Sequence, residues 1–171
     1  MADACPIGVR GPISVVMKKL IAAVATLAIC PSAAFADISG DARILNGDTI
    51  QVGETPLRLY GIDAPEVDQM CENEMFEYPC GLVATGMLRD LVTGRPVTCV
   101  EQGKMPGGLT LAICYVEGED LGEKLVRLGI ALAHPEDGES YLEAQAAAQS
   151  ANRSLWRGPF ITPWDWRAGK R

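Results

Sequence analysis

The chain has 171 residues with 15 basic and 22 acidic side chains, six cysteines and one histidine, for a net charge of −7. That balance excludes a protein that grips phosphate backbones over a broad basic surface, so an anion must be drawn to a local site, either a bound cation or a small arginine cluster. The length allows one domain with one respectable core.

The first element is a leader. From Met17, "MKKLIAAVATLAICPSAAFA" carries two lysines, an apolar run from Leu20 to Ile29, a break at Pro31 and the small-residue flank Ala34-Phe35-Ala36. This is the pattern of a secretory signal peptide cut after Ala36, and Met17 is the expected true start, with residues 1–16 an extension. The apolar run is well short of the roughly 20 residues needed to span a bilayer, so no membrane span is expected in the mature form. The protein is therefore expected to be exported, periplasmic or secreted. Residues 37–171 form the expected single domain, with a tail over 157–171. Without Asp3, Arg10, Lys18 and Lys19 the remainder has 12 basic and 21 acidic residues, a net charge of −9.

Strand patterns follow. "ARIL", "TIQV" and "LRLYGI" are short runs separated by the turn residues Asn46-Gly47-Asp48 and Gly53-Glu54. "GLVATGMLRDLVTG" (81–94) places Val83, Met87, Leu88 and Leu91 at helical spacing, with Gly94 as a stop. "PVTCV" and "LTLAICYV" are two further strands around "GKMPGG", and helices are predicted over 120–129 and 139–156. The connections are too short for parallel crossovers, so the strands are expected to be antiparallel and to close into a small, partly open barrel with helices on one side. Cys5 and Cys30 leave with the leader. The remaining Cys71, Cys80, Cys99 and Cys114 predict two disulfides in an oxidising compartment, with three connectivities open. Zinc is disfavoured, because no C-x-x-C spacing occurs and His134 is far from all four cysteines.

"NGDTIQVGETPLRLYGIDAPE" (46–66) concentrates Asp48, Arg58, Asp63 and Glu66 in two strands and a turn. Asp48 and Asp63 at the ends of adjacent strands repel unless a hard cation such as calcium lies between them. Strict alternation sends Arg58 and Asp63 to opposite faces, so the strand must bend, and Gly61 is the expected bend. Pro65 holds Glu66 just past the strand end, where a carboxylate can orient or deprotonate a water. Arg58 can hold two oxygens of a phosphate.

In order and spacing, "NGDTI", "RLYGIDAPE", "GEDLGEKLVRLGIALA" and Tyr141 followed by "EAQAAAQSANRSLW" resemble the staphylococcal nuclease (thermonuclease) family over about residues 42–156. The resemblance implies an α+β fold, a five-stranded Greek-key barrel of the oligonucleotide-binding (OB-fold) type with three helices, and calcium-dependent hydrolysis of DNA and RNA. It implies Asp48, Asp63 and the backbone carbonyl of Ala64 as calcium ligands, Glu66 as general base, and Arg58 as a catalytic, substrate-binding arginine. Asn46 stands where the family often has aspartate. By the same resemblance "VTCV" and "AICY" are neighbouring strands, which implies the pairs Cys99–Cys114 and Cys71–Cys80. The family's second catalytic arginine falls on Leu109, and Lys104 is the sole cation of that loop.

Three other patterns carry less. His134 and Ser140 lack the elbow of a serine hydrolase, so His134 reads as a loop residue. "GLVATG" lacks the lysine and serine of a phosphate loop. Trp156, Trp164 and Trp166 read as packing for the tail rather than as stacking platforms for bases. The expectation is an exported, monomeric, calcium-dependent nuclease weakened by the missing arginine, acting on nucleic acid, preferentially single-stranded. The alternative is a non-catalytic barrel that binds nucleic acid, a nucleotide or a protein partner.

Overall fold

The computed structural model describes residues 37–170; the predicted leader lies outside them. The core is a curled half-barrel sheet built from β1 (Ile38–Gly40), β2 (Ala42–Ile44), β3 (Thr49–Val52), β4 (Thr55–Leu59), β8 (Val97–Lys104) and β9 (Thr110–Val116) in the order β1-β8-β9-β4-β3-β2. Between β4 and β8 the chain makes β5 (Ile62–Asp63), the small hairpin β6 (Cys71–Glu72) and β7 (Glu77–Tyr78), and helix α1 (Cys80–Val92). After β9 come β10 (Glu119–Asp120), α2 (Leu121–Arg127), β11 (Leu132–Ala133), α3 (Leu142–Ser150) and α4 (Pro163–Arg167). The alternation in "TLAICYV" is realised directly: Thr110, Ala112, Cys114 and Val116 are buried and their neighbours half-buried. With Ile50, Leu57, Val97, Leu88 and Leu125, the side chains of Ala112, Cys114 and Val116 fill the space between sheet and helices. This is the α+β architecture expected.

Several elements differ from expectation. β4 and β9 pair in parallel, with Arg58 level with Leu111. The short-connection argument constrains only successive strands, and here α1 and β8 intervene, which leaves ample chain for a parallel crossover. The predicted helix over 139–156 is a 3-10 turn at Glu139–Tyr141, α3, and a second 3-10 turn at Ser154–Arg157. It breaks because Asn152 and Ser154 take positive φ, turning Leu155 inward so that its N–H reaches the Gly129 carbonyl at 3.1 Å. The strand read as "LRLYGI" breaks after Leu59, and its end, β5, pairs instead with β11. β1 and α4 carried no sequence pattern that predicted them.

Two disulfides join Cys71–Cys80 and Cys99–Cys114. The second ties β8 to β9 at directly paired positions. The first closes the β6–β7 hairpin onto α1 and belongs to a second apolar cluster with Leu132 and Leu155, against which Trp156, Phe160 and Trp164 pack. The tryptophans at 156 and 164 thus anchor the tail, as expected. Trp156 meets Phe160 edge-on at 5.1 Å, and Trp164 meets His134 at 6.3 Å. Among the described residues no helix is long and apolar enough to cross a membrane.

The Cys99–Cys114 bridge closes a 15-residue separation. Replacing both cysteines by alanine is expected to lower unfolding free energy by about 3 kcal/mol, the chain-entropy value for such a loop. Urea titration of the oxidised protein and the double variant checks it.

Candidate active site

Asp48, Arg58 and Asp63 come from three stretches of backbone and meet at one nitrogen. Asp48 follows the Asn46-Gly47 turn, where its N–H donates to Asn46 Oδ1 at 3.0 Å. A Cβ on Gly47 would stand 2.8 Å from Ala84 Cβ and 2.9 Å from Ala64 Cβ, so only glycine lets this turn sit against α1 and the Asp63-Ala64 strand end. Past Arg58, Gly61 takes φ +74°, and a Cβ there would lie 2.7 Å from the Tyr141 ring. This is the expected bend, and it brings Asp63 round to the side of Arg58. Nη2 of Arg58 donates to Asp48 Oδ2 at 3.2 Å and to Asp63 Oδ1 at 2.8 Å. The Ala64 N–H also donates to Asp48 Oδ2, at 3.3 Å, and Thr49 Oγ1 to Asp48 Oδ1, at 2.8 Å. The Asp63 side chain is 0% exposed, that of Asp48 7% and that of Arg58 15%.

Glu66 is held by its backbone. Its N–H donates to Oε1 of the buried Gln69 at 3.2 Å, and the Gln69 N–H returns to the Glu66 carbonyl at 2.8 Å. A Cβ on Gly81 would stand 1.6 Å from that carbonyl, so α1 packs directly on the loop. The Gln69 Nε2 donates to the Ile161 carbonyl at 2.6 Å and thereby ties the Glu66 loop to the tail.

The tail brings a residue that sequence reasoning missed. Arg167, the last residue of α4, donates from Nη1 to Asp63 Oδ1 at 2.9 Å and to Glu66 Oε1 at 2.6 Å, and from Nη2 to Asp63 Oδ2 at 2.5 Å. The cluster therefore holds Asp48, Asp63 and Glu66 against two guanidinium groups. The hydrogen bond to Asp63 raises the already high pKa of Arg167, so this side chain is charged at every accessible pH. No local motif marks an arginine 104 residues from Asp63.

Beside Arg58 opens a cavity of about 260 Å³ whose wall includes Lys104, Met105, His134, Glu136 and Asp137. His134 Nδ1 pairs with Asp137 Oδ1 at 2.8 Å, which agrees with a loop role rather than a partnership with Ser140. Lys104 ends β8 opposite Thr110 and reaches this cavity from its strand position, with no loop rearrangement. The next turn is closed by Gly108 N–H on the Met105 carbonyl at 2.9 Å and Met105 N–H on the Leu109 carbonyl at 2.8 Å.

The donor set suits a hard cation in part. Asp48 Oδ2 and Asp63 Oδ1 lie within hydrogen-bond distance of a single nitrogen and so converge on one point. Among the described residues no group of three or more His, Cys, Asp or Glu side chains could hold a metal. A cation here would complete its shell with a backbone carbonyl, water or substrate oxygens, as calcium readily does.

A family model described as "Staphylococcal nuclease homologue" matches residues 56–158. That span includes Arg58, Asp63 and Glu66 but neither Asp48 nor Arg167. The succinoglycan biosynthesis protein ExoI of Rhizobium meliloti (strain 1021) is 31% identical over 124 residues, 70% of this chain and 65% of that protein. The chain thus spans just under two thirds of that relative's length. An uncharacterized endonuclease of Haemophilus influenzae (strain ATCC 51907 / DSM 11121 / KW20 / Rd) is 31% identical over 134 residues, 73% of this chain and 70% of that protein.

Burial raises the Asp48 pKa above its ordinary value, against the lowering effect of Arg58. A raised folded pKa means the folded state binds the proton more tightly than the unfolded chain, so stability falls as pH rises through the folded pKa. Asp48→Asn, which keeps the shape without the buried charge, is expected to be more stable than wild type at pH 8. The difference should shrink as pH falls toward the unfolded value of about 4. Urea unfolding across that range checks it; a variant less stable at pH 8 contradicts the assignment.

Proposed function

The chain belongs to the staphylococcal nuclease homologue family, and from that premise we propose that it is an exported, single-domain, monomeric, calcium-dependent nuclease that hydrolyses phosphodiester bonds of DNA or RNA. The observation that carries this reading is the convergence of Asp48 and Asp63 on Nη2 of Arg58, with Glu66 one guanidinium away. The name of the Haemophilus influenzae relative supports it.

In this reading Asp48, Asp63 and the Ala64 carbonyl hold calcium, which when bound neutralises charge on the phosphoryl oxygens. Arg58 grips the same phosphate through its planar fork, at the mouth of the cavity that Lys104 also lines. Glu66 takes a proton from the attacking water as the new P–O bond forms on one side of phosphorus and the ester P–O bond breaks on the other. The departing alkoxide takes its proton from solvent. The two disulfides are compatible with export to an oxidising compartment.

The resemblance puts a second arginine at position 109, where this chain has Leu109. Leu109 lies two residues before Leu111, the residue level with Arg58 in the parallel register, so side-chain alternation turns position 109 toward the face of Arg58. Losing one donor aimed at the developing charge commonly costs on the order of 100-fold to 1000-fold in rate, which predicts slow turnover.

Digestion of single-stranded DNA by purified protein tests the proposal. Wild type should cleave slowly with calcium and not with a chelator. Glu66→Gln should lower the rate at least about 100-fold, and Leu109→Arg should raise it. If wild type and Leu109→Arg are both inert while the protein still binds an oligonucleotide, the enzyme reading fails and a binding module takes its place.

A further inference from the structure

We infer that Arg167 is a tethered cation that competes with the divalent ion for the carboxylates of this site, so that docking of Arg167 and binding of the metal exclude one another. The inference rests on the calcium reading above and deepens it. Both oxygens of Asp63 are occupied by the Arg167 fork, and Oδ1 accepts from Arg58 as well. Glu66 Oε1 accepts from the same Nη1 that binds Asp63. A cation ligated by Asp63 needs a lone pair that now points at Arg167, and a water-activating Glu66 needs an oxygen free of a permanently charged donor.

Electrostatics acts in the same direction. With Arg167 docked, three carboxylates face two guanidinium groups and the cluster carries a net charge of −1; with Arg167 withdrawn it carries −2. A divalent ion is drawn to the open form more strongly than to the closed one. The contact is also built for exchange. The Arg167 side chain is 39% exposed, so it can rotate outward while the rest of the tail stays in place. That tail is fixed upstream of Arg167: Gln69 holds Ile161, Trp164 sits against His134, and Pro163 starts α4 with Thr162 as its cap. Arg58 differs in kind, being 15% exposed and set within the sheet. Arg58 stays at the site and turns its fork from the carboxylates to the phosphate when metal and substrate bind, whereas Arg167 is a removable counter-ion. Because the competitor is covalently tethered, its effective concentration at Asp63 does not fall on dilution.

Calcium titration calorimetry on wild type and Arg167→Gln is the test. The variant should bind calcium about tenfold or more tightly than wild type, since it loses one positive charge in contact with the ligand oxygens. Equal or weaker calcium binding by a folded Arg167→Gln overturns the inference and leaves the nuclease reading standing. Absence of calcium binding in both proteins overturns both. Side-chain ¹⁵N spectra of wild-type arginines give a second readout that needs no variant. The Arg167 Nη1 and Nη2 hydrogens should be protected from exchange without calcium and lose that protection when calcium is added, and retained protection with calcium bound overturns the inference.

Discussion

The Asp63 carboxylate is buried to 0% exposure, and the local structure around it follows from the need to keep it charged there. An isolated carboxylate in such a place costs several kcal/mol, and removing one partner of a buried pair leaves that cost uncompensated. Arg58 answers it from within the sheet and Arg167 from the tail. Gly61 makes the turn that lets Asp63 face Arg58, and the pairing of β5 with β11 holds the backbone behind it. Asp48 shares the same Nη2, so the two aspartates are kept close despite their mutual repulsion. Two guanidinium groups thus hold three carboxylates in one place.

Much of this was legible in sequence, and for identifiable reasons. Asp48, Arg58, Asp63 and Glu66 fall within 21 residues, and the alternation rule alone demanded a bend between Arg58 and Asp63. Burial periodicity marked β9, and the turn residues bounded β3 and β4. What escaped depends on contacts between distant segments. The parallel register of β4 and β9 is set by the crossover between them, which no local pattern encodes. The third helix ends early because Leu155 is wanted in the second core and Gly129 receives its N–H. Arg167 is the extreme case: its role is fixed by Gln69, Ile161 and the packing of Trp156, Phe160 and Trp164, each unremarkable in sequence.

The match to the family model ends at residue 158, and the tail that delivers Arg167 begins there. Arg167 lies past that match as Asp48 lies before it, so the tethered guanidinium reaches the proposed nuclease machinery from outside the matched span. The Cys71–Cys80 bridge lies between them, since it braces both the start of α1 under Glu66 and the apolar cluster on which the tail rests. Oxidation of that pair thus supports the carboxylate site and its counter-ion together.

A crystal structure of the protein with calcium and a nucleotide bisphosphate tests the account most directly. It predicts one calcium with Asp48 and Asp63 oxygens at about 2.3–2.6 Å, Arg58 on a phosphate, and Arg167 withdrawn from Asp63. Calcium bound elsewhere, or a phosphate held at Arg58 while Arg167 still closes both oxygens of Asp63, would contradict it.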